Sequence, residues 1–129
     1  MKARSTKLRR LVSVQRQIER IAEIELAELA MERAAISERL DHLVDALASP
    51  NPVHSGFSKL YGSQIARLKI KDQMLGGRMR MQEKKLMTER AKADRLEDHA
   101  RHAGNDERRA GEEEALYDIL DRIGDSSLR

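Results

Sequence analysis

Apolar side chains recur at alternating steps of four and three residues in both halves of this 129-residue chain. Such steps keep side chains on one face of a helix, and that face needs a partner helix to bury it. We call each row of these side chains a seam. The first seam comprises Ala22, Leu26, Leu29, Arg33, Ile36, Leu40, Leu43 and Leu47. The second comprises Tyr61, Ile65, Leu68, Asp72, Leu75, Met79, Gln82 and Leu86.

A proline-rich break, Ser49-Pro50-Asn51-Pro52, separates the two seams. A residue that precedes proline disfavours the helical conformation, so the first helix should stop here and the chain should reverse. The sequence therefore predicts an all-α fold: a long antiparallel two-helix coiled-coil hairpin with a short C-terminal helix, as one domain. The predicted boundaries are about 5–48 for helix 1, 49–55 for the turn, about 56–103 for helix 2 and 105–124 for the C-terminal helical tail.

A reversal near Pro52 predicts that the numbers of facing residues sum to about 104 or 105. In this register Arg33 faces Asp72, which are the only charged residues of their seams. One polar pair within an apolar seam fixes the register of a coiled coil. Towards the N-terminus, we expect Leu11, Val14 and Ile18 to continue the first seam through a stutter, a local unwinding caused by two successive steps of four.

Charge also favours pairing within the chain. Residues 19–45 carry eight acids against three bases, whereas residues 67–95 carry ten bases against four acids. Opposite charges along two helices select the partner and its orientation.

Two groups of apolar residues lie outside the seams and are candidate partner-binding residues. In the tail, which we expect to project beyond the hairpin, they are Leu116, Ile119, Leu120 and Ile123. In helix 2 they are Ile70, Met74 and Met81, which should form an outer strip with Ile24 and Met31. An apolar stripe without an internal partner indicates an external partner or a second copy of the chain. The alternatives are a tail that folds back onto the hairpin and an outer strip of ordinary scattered surface residues.

The sequence contains no nucleophile constellation, phosphate loop or dinucleotide fingerprint. His99 and His102 are three residues apart, but a zinc site needs three or four ligands in a fixed shell. We therefore expect no enzyme activity, no cofactor or metal, and no small-molecule ligand. Gly76-Gly77 interrupts the second seam, either as a point of close helix approach, as a tolerated flaw, or as a flexible point.

The chain has no cysteine and no long apolar run, which predicts a cytoplasmic protein without membrane insertion. Nucleic-acid binding through the basic second helix is a weaker alternative. The acidic helix lies beside it, and aromatic residues for base stacking make up only 2% of the chain.

Some features resemble the FliJ/YscO family, the stalk proteins of flagellar and type III export ATPases. They are the opening Lys7-Leu8-Arg9-Arg10-Leu11-Val12, the hairpin proportions, and the run Asn105-Asp106-Glu107-Arg108-Arg109-Ala110 before Leu116. The resemblance implies a coiled-coil hairpin whose terminal ends enter the central pore of a hexameric export ATPase. It also implies contacts with the export gate protein and with export chaperones. A self-associating structural scaffold is the main alternative function.

Overall fold

Almost the whole described chain is helical. The computed structural model describes residues 2–127, which form α1 (Lys2–Ala48), the short α2 (Pro52–Ser55) and α3 (Ser58–Ser127). No strand occurs within these residues. The predicted all-α class is confirmed, and the two long helices pack together.

The proline-rich break holds one helical turn, α2. Asn51 caps this turn, because its side-chain oxygen accepts a hydrogen bond from the Val53 backbone N–H at 3.1 Å. Pro52 occupies the first helical position, where a missing N–H costs nothing. The segment predicted as a turn is therefore partly helical.

The chain divides into two compact units. Arg20–Thr88 forms the first, which we call the turn unit because it contains α2. The described parts of Met1–Glu19 and Glu89–Arg129 form the second, which we call the terminal unit.

The core of the turn unit is formed by Leu29, Ile36 and Leu75, with the half-buried Leu40, Leu68 and Met79 packed around it. All six belong to the predicted seams. Three ion pairs join α1 to α3 in this unit: Arg33–Asp72, Glu32–Lys71 and Glu25–Lys85. Residue numbers in these pairs fall along α3 from Lys85 to Lys71 as they rise along α1 from Glu25 to Glu32.

Buried positions follow one unbroken seven-residue count in each helix. We letter the heptad positions a to g, with Ala22 and Leu75 at d. All buried side chains in the described range then lie at a or d, and they are Ser5, Glu19, Ala22, Leu29, Ile36, Leu75, Leu86, Ala93, Ala100 and Ala103. Gly76, which has no side chain, is buried at an e position. A strict seven-residue repeat is the spacing of a two-helix coiled coil.

The predicted stutter in helix 1 is wrong. In the terminal unit, Leu11, Val14 and Ile18 are exposed, whereas Ser5 and Glu19 are buried. The seven-residue count continues backwards from the turn unit without interruption, and it places polar residues at seam positions. These residues are tolerated because each has a partner across the helix pair, as described below.

The predicted end of helix 2 at Ala103, and with it the separate C-terminal helix, is also wrong. α3 passes Gly104 and continues to Ser127, and no described glycine has a positive φ. A glycine costs a helix only about 1 kcal/mol relative to alanine, and the good helix formers from Glu107 to Ala110 follow it.

Glu107 gives the continuation of α3 a function. The Ser5 hydroxyl and backbone N–H donate hydrogen bonds to its carboxylate at 2.6 and 3.1 Å. α1 has no acidic residue in its own first turn, so Glu107 supplies the negative charge that a helix N-terminus favours. α1 accordingly begins at Lys2 rather than near Ser5, and the pairing of the two helices extends past Gly104.

We expect Leu75→Ala to lower the free energy of unfolding by roughly 2–4 kcal/mol, because it removes a side chain that is 2% exposed and leaves a cavity in the turn-unit core. Its neighbour Met74, 65% exposed, is the matched control, and Met74→Ala should change stability by about 0.5 kcal/mol or less. Urea denaturation followed by circular dichroism measures both. Equal effects at the two positions would contradict the assigned core.

Candidate partner-binding surfaces

The last turns of α3 form an exposed apolar and acidic surface. Every residue from Gly111 to Ile123 is exposed. We call residues 112–125 the C-terminal segment; it carries six acids and one base, Arg122. Its predicted binding residues are each at least half exposed, and they are Leu116, Ile119, Leu120 and Ile123.

The predicted outer strip is divided between two helices. Ile70, Met74 and Met81 are all exposed in the turn unit and occupy neighbouring outward positions, f and c, of α3. Ile24 and Met31 are exposed at f positions of α1. Positions f of paired helices point away from each other, and a single strip that combines the two groups stays a prediction. The three α3 residues form a row of their own.

Arg33 and Asp72 form an ion pair beside Gly76. Arg33 Nε lies 2.9 Å from Asp72 Oδ1, and Nη2 lies 3.4 Å from Oδ2. The carboxylate raises the pKa of the Arg33 guanidinium. A Cβ placed on Gly76 would lie 3.1–3.2 Å from three atoms of that guanidinium. Gly76 therefore leaves room for the end of the Arg33 side chain. A Cβ on Gly77 would meet only Arg80 Nη2, at 3.9 Å.

A buried carboxylate in the terminal unit was missed by sequence reasoning. Glu19 is only 8% exposed, and its two oxygens accept hydrogen bonds from Arg90 and Arg16, each at 2.8 Å. Arg16 also donates to Asp94 and Glu97. The Arg90 contact first, and then that of Arg16, hold the pKa of the Glu19 carboxyl below its ordinary value. This network joins α1 to α3 where the predicted seam had only apolar contacts.

Leu11, Val14 and Ile18 form an exposed stripe on α1, at g and c positions, which we call the α1 stripe. Their exposed fractions are 51%, 54% and 38%. A strict heptad count backwards from Leu26 reaches Glu19 and leaves this stripe outside the seam. The heptad count alone could therefore have predicted that Glu19 is buried. We assigned Leu11, Val14 and Ile18 to the seam instead because they are more hydrophobic.

His99 and His102 are exposed in the terminal unit. Within residues 2–127, no three His, Cys, Asp or Glu side chains are grouped so that they could hold a metal ion. Over the same range, neither long helix has a segment that is both long enough and apolar enough to cross a lipid bilayer.

Comparison of the chain with protein-family models, with curated proteins and with solved structures gives no match. The resemblance to the FliJ/YscO family therefore stays a prediction, and the surfaces described above carry the functional proposal.

Replacement of the paired glycines by alanine should have unequal effects. Gly77→Ala should stabilise the chain by roughly 0.5–1 kcal/mol, because alanine favours the helix and its Cβ has room. Gly76→Ala should stabilise less than this or destabilise, because its Cβ would lie 3.1–3.2 Å from the Arg33 guanidinium and so strain the ion pair with Asp72. Thermal or urea unfolding compares the two. In an Arg33→Ala background the difference should disappear; a difference that persists there would contradict the assigned role of Arg33.

Glu19→Gln should lower stability at pH 7 by roughly 1 kcal/mol, because it weakens two charge-assisted hydrogen bonds. The folded-state pKa of Glu19 is depressed, so its contribution is fully present above the ordinary pKa of 4.5 and is lost as pH falls through the lower folded value. Unfolding of both proteins measured from pH 7 downwards should show the difference narrowing below pH 4.5. A difference that is independent of pH would contradict an ionised Glu19.

Proposed function

We propose that this chain is a non-enzymatic stalk or adaptor, built as an antiparallel two-helix coiled coil, that binds other proteins of a flagellar or type III protein export apparatus. Its main partner would be the hexameric export ATPase. Further partners would be the export gate protein and export chaperones, and its location would be cytoplasmic.

The observation that carries this proposal is the exposure of the C-terminal segment. Four large apolar side chains lie on one side of an intact helix, and acids surround them. An amphipathic helix of this kind binds by laying its apolar face in a groove of a partner. Acidic flanks favour a partner whose groove has a basic rim, since complementary charge increases association rate and specificity.

The structure of the pairing agrees with a stalk. Ion pairs join α1 and α3 in both units, and Glu107 ties the first turn of α1 to α3. The C-terminal segment begins at residue 112, little more than one helical turn past Glu107, so the helix that carries it is held near its base. The α3 row of Ile70, Met74 and Met81 is available for a second partner, which the resemblance assigns to the export gate or to a chaperone. Methionine-rich surfaces repack readily around different partners.

The direct test is binding of the full-length chain to the purified hexameric export ATPase of the same cell, measured by fluorescence anisotropy of the labelled chain. Leu116→Asp with Leu120→Asp should weaken binding by at least about tenfold, because two anchors of the apolar face become charged. Met87→Asp, at a 69% exposed position of the turn unit, is the matched control and should leave binding unchanged.

Two results would contradict the proposal. One is that the intact chain does not bind the ATPase. The other is that the two aspartate substitutions leave the affinity for the ATPase unchanged. Circular dichroism of each variant confirms that the helices are intact, so that a loss of binding reports on the surface and not on unfolding.

A further inference from the structure

The terminal unit has two exposed apolar surfaces of similar length. One is the α1 stripe of Leu11, Val14 and Ile18, and the other is the apolar side of the C-terminal segment. Soluble proteins seldom expose contiguous apolar rows of this kind unless another surface covers them.

Both surfaces lie on the same side of the helix pair. In the terminal unit, Arg16 bonds to Glu97 and Arg9 lies over Gly104, and all four of these residues are at e positions. When e positions meet on one side of an antiparallel pair, g positions occupy the other side. The α1 stripe lies at g and c of α1, and the central leucine of the C-terminal segment, Leu120, lies at g of α3.

The two surfaces have opposite charge. Around the α1 stripe, the charged residues at g and c positions of the two helices are five bases and one acid: Arg4, Lys7, Lys92, Arg95, Arg109 and Asp106. The C-terminal segment has six acids against one base. Apolar residues bordered by bases therefore match apolar residues bordered by acids.

We propose that the C-terminal segment of one copy docks on the α1 stripe of a second copy. A two-fold axis perpendicular to the helices brings both surfaces of each copy into contact at once, so the dimer is closed and each contact occurs twice. This axis requires the C-terminal segment to run parallel to the α1 on which it docks. Residues 116–123 then lie alongside residues 11–18.

This inference does not depend on the proposed export function, although the two make use of the same segment. An ATPase that binds the C-terminal segment would displace the second copy. Substitutions in the α1 stripe distinguish the two ideas, because they should abolish self-association and leave affinity for the ATPase unchanged.

Sedimentation velocity of the full-length chain over about 1–100 µM measures self-association. The intact chain should form a dimer. The stripe variant carries Leu11→Asp with Ile18→Asp, and the segment variant carries Leu116→Asp with Leu120→Asp. Each variant should raise the dissociation constant of the dimer by at least about tenfold. Met87→Asp should leave it unchanged. Raising sodium chloride from about 50 to about 500 mM should also weaken it, because the charged borders become screened.

Mixing the two variants gives the decisive result. Each variant keeps the surface that the other has lost, so the intact segment of the stripe variant should dock on the intact stripe of the segment variant. A heterodimer should therefore appear in the mixture at concentrations where each variant alone is monomeric. All four substituted residues of the stripe and segment variants are exposed, so we expect the helices to stay intact. Circular dichroism of each variant checks that helix content is retained.

Three outcomes would overturn the proposal. The first is that the intact chain sediments as a monomer throughout the concentration range. The second is that the stripe variant still dimerises while the segment variant does not, which would mean that two C-terminal segments pair with each other. The third is that the mixture of variants remains monomeric although the intact chain dimerises.

Discussion

The seven-residue spacing of the buried positions is the constraint on which the rest of the structure depends. A helix in a two-helix pair can bury only the side chains that return to the partner at this spacing. The apolar core of Leu29, Ile36 and Leu75 establishes the count in the turn unit. Every other buried side chain in the described range follows the same count. The polar side chains of Ser5 and Glu19 do so as well, although their hydrophobicity alone would predict that they are exposed.

The heptad count buries a charged side chain, and the free-energy cost of burying that charge is offset by local contacts. A buried carboxylate without partners would be strongly unfavourable, but Glu19 receives hydrogen bonds from two arginines. Alanines occupy several facing seam positions of α3, among them Ala93 and Ala100. Polar seam residues of this kind contribute little net stability, and their best-attested effect is to specify register. Polar contacts therefore specify the pairing in the terminal unit, whereas the turn unit combines an apolar core with the Arg33–Asp72 pair.

The sequence was sufficient to predict the helical class, the break at the prolines and the seam of the turn unit, because strong apolar residues and heptad spacing agree there. They disagree in the first turns of α1, where Leu11, Val14 and Ile18 are more hydrophobic than the residues that the count selects. The end of helix 2 was misplaced for another reason. Gly104 reads locally as a stop, and the contact that favours continuation, between Ser5 and Glu107, joins residues 102 apart in the chain.

That contact also has a kinetic consequence. The separation in sequence between paired residues grows steadily from the proline-rich break, from 39 residues for Arg33 and Asp72 to 102 for Ser5 and Glu107. The entropy lost on closing a loop increases with loop length, so pairing that starts at the break meets the smallest cost at each step. The first turn of α1 is then the last part of the helix pair to form its contact, the hydrogen bonds from Ser5 to the Glu107 carboxylate.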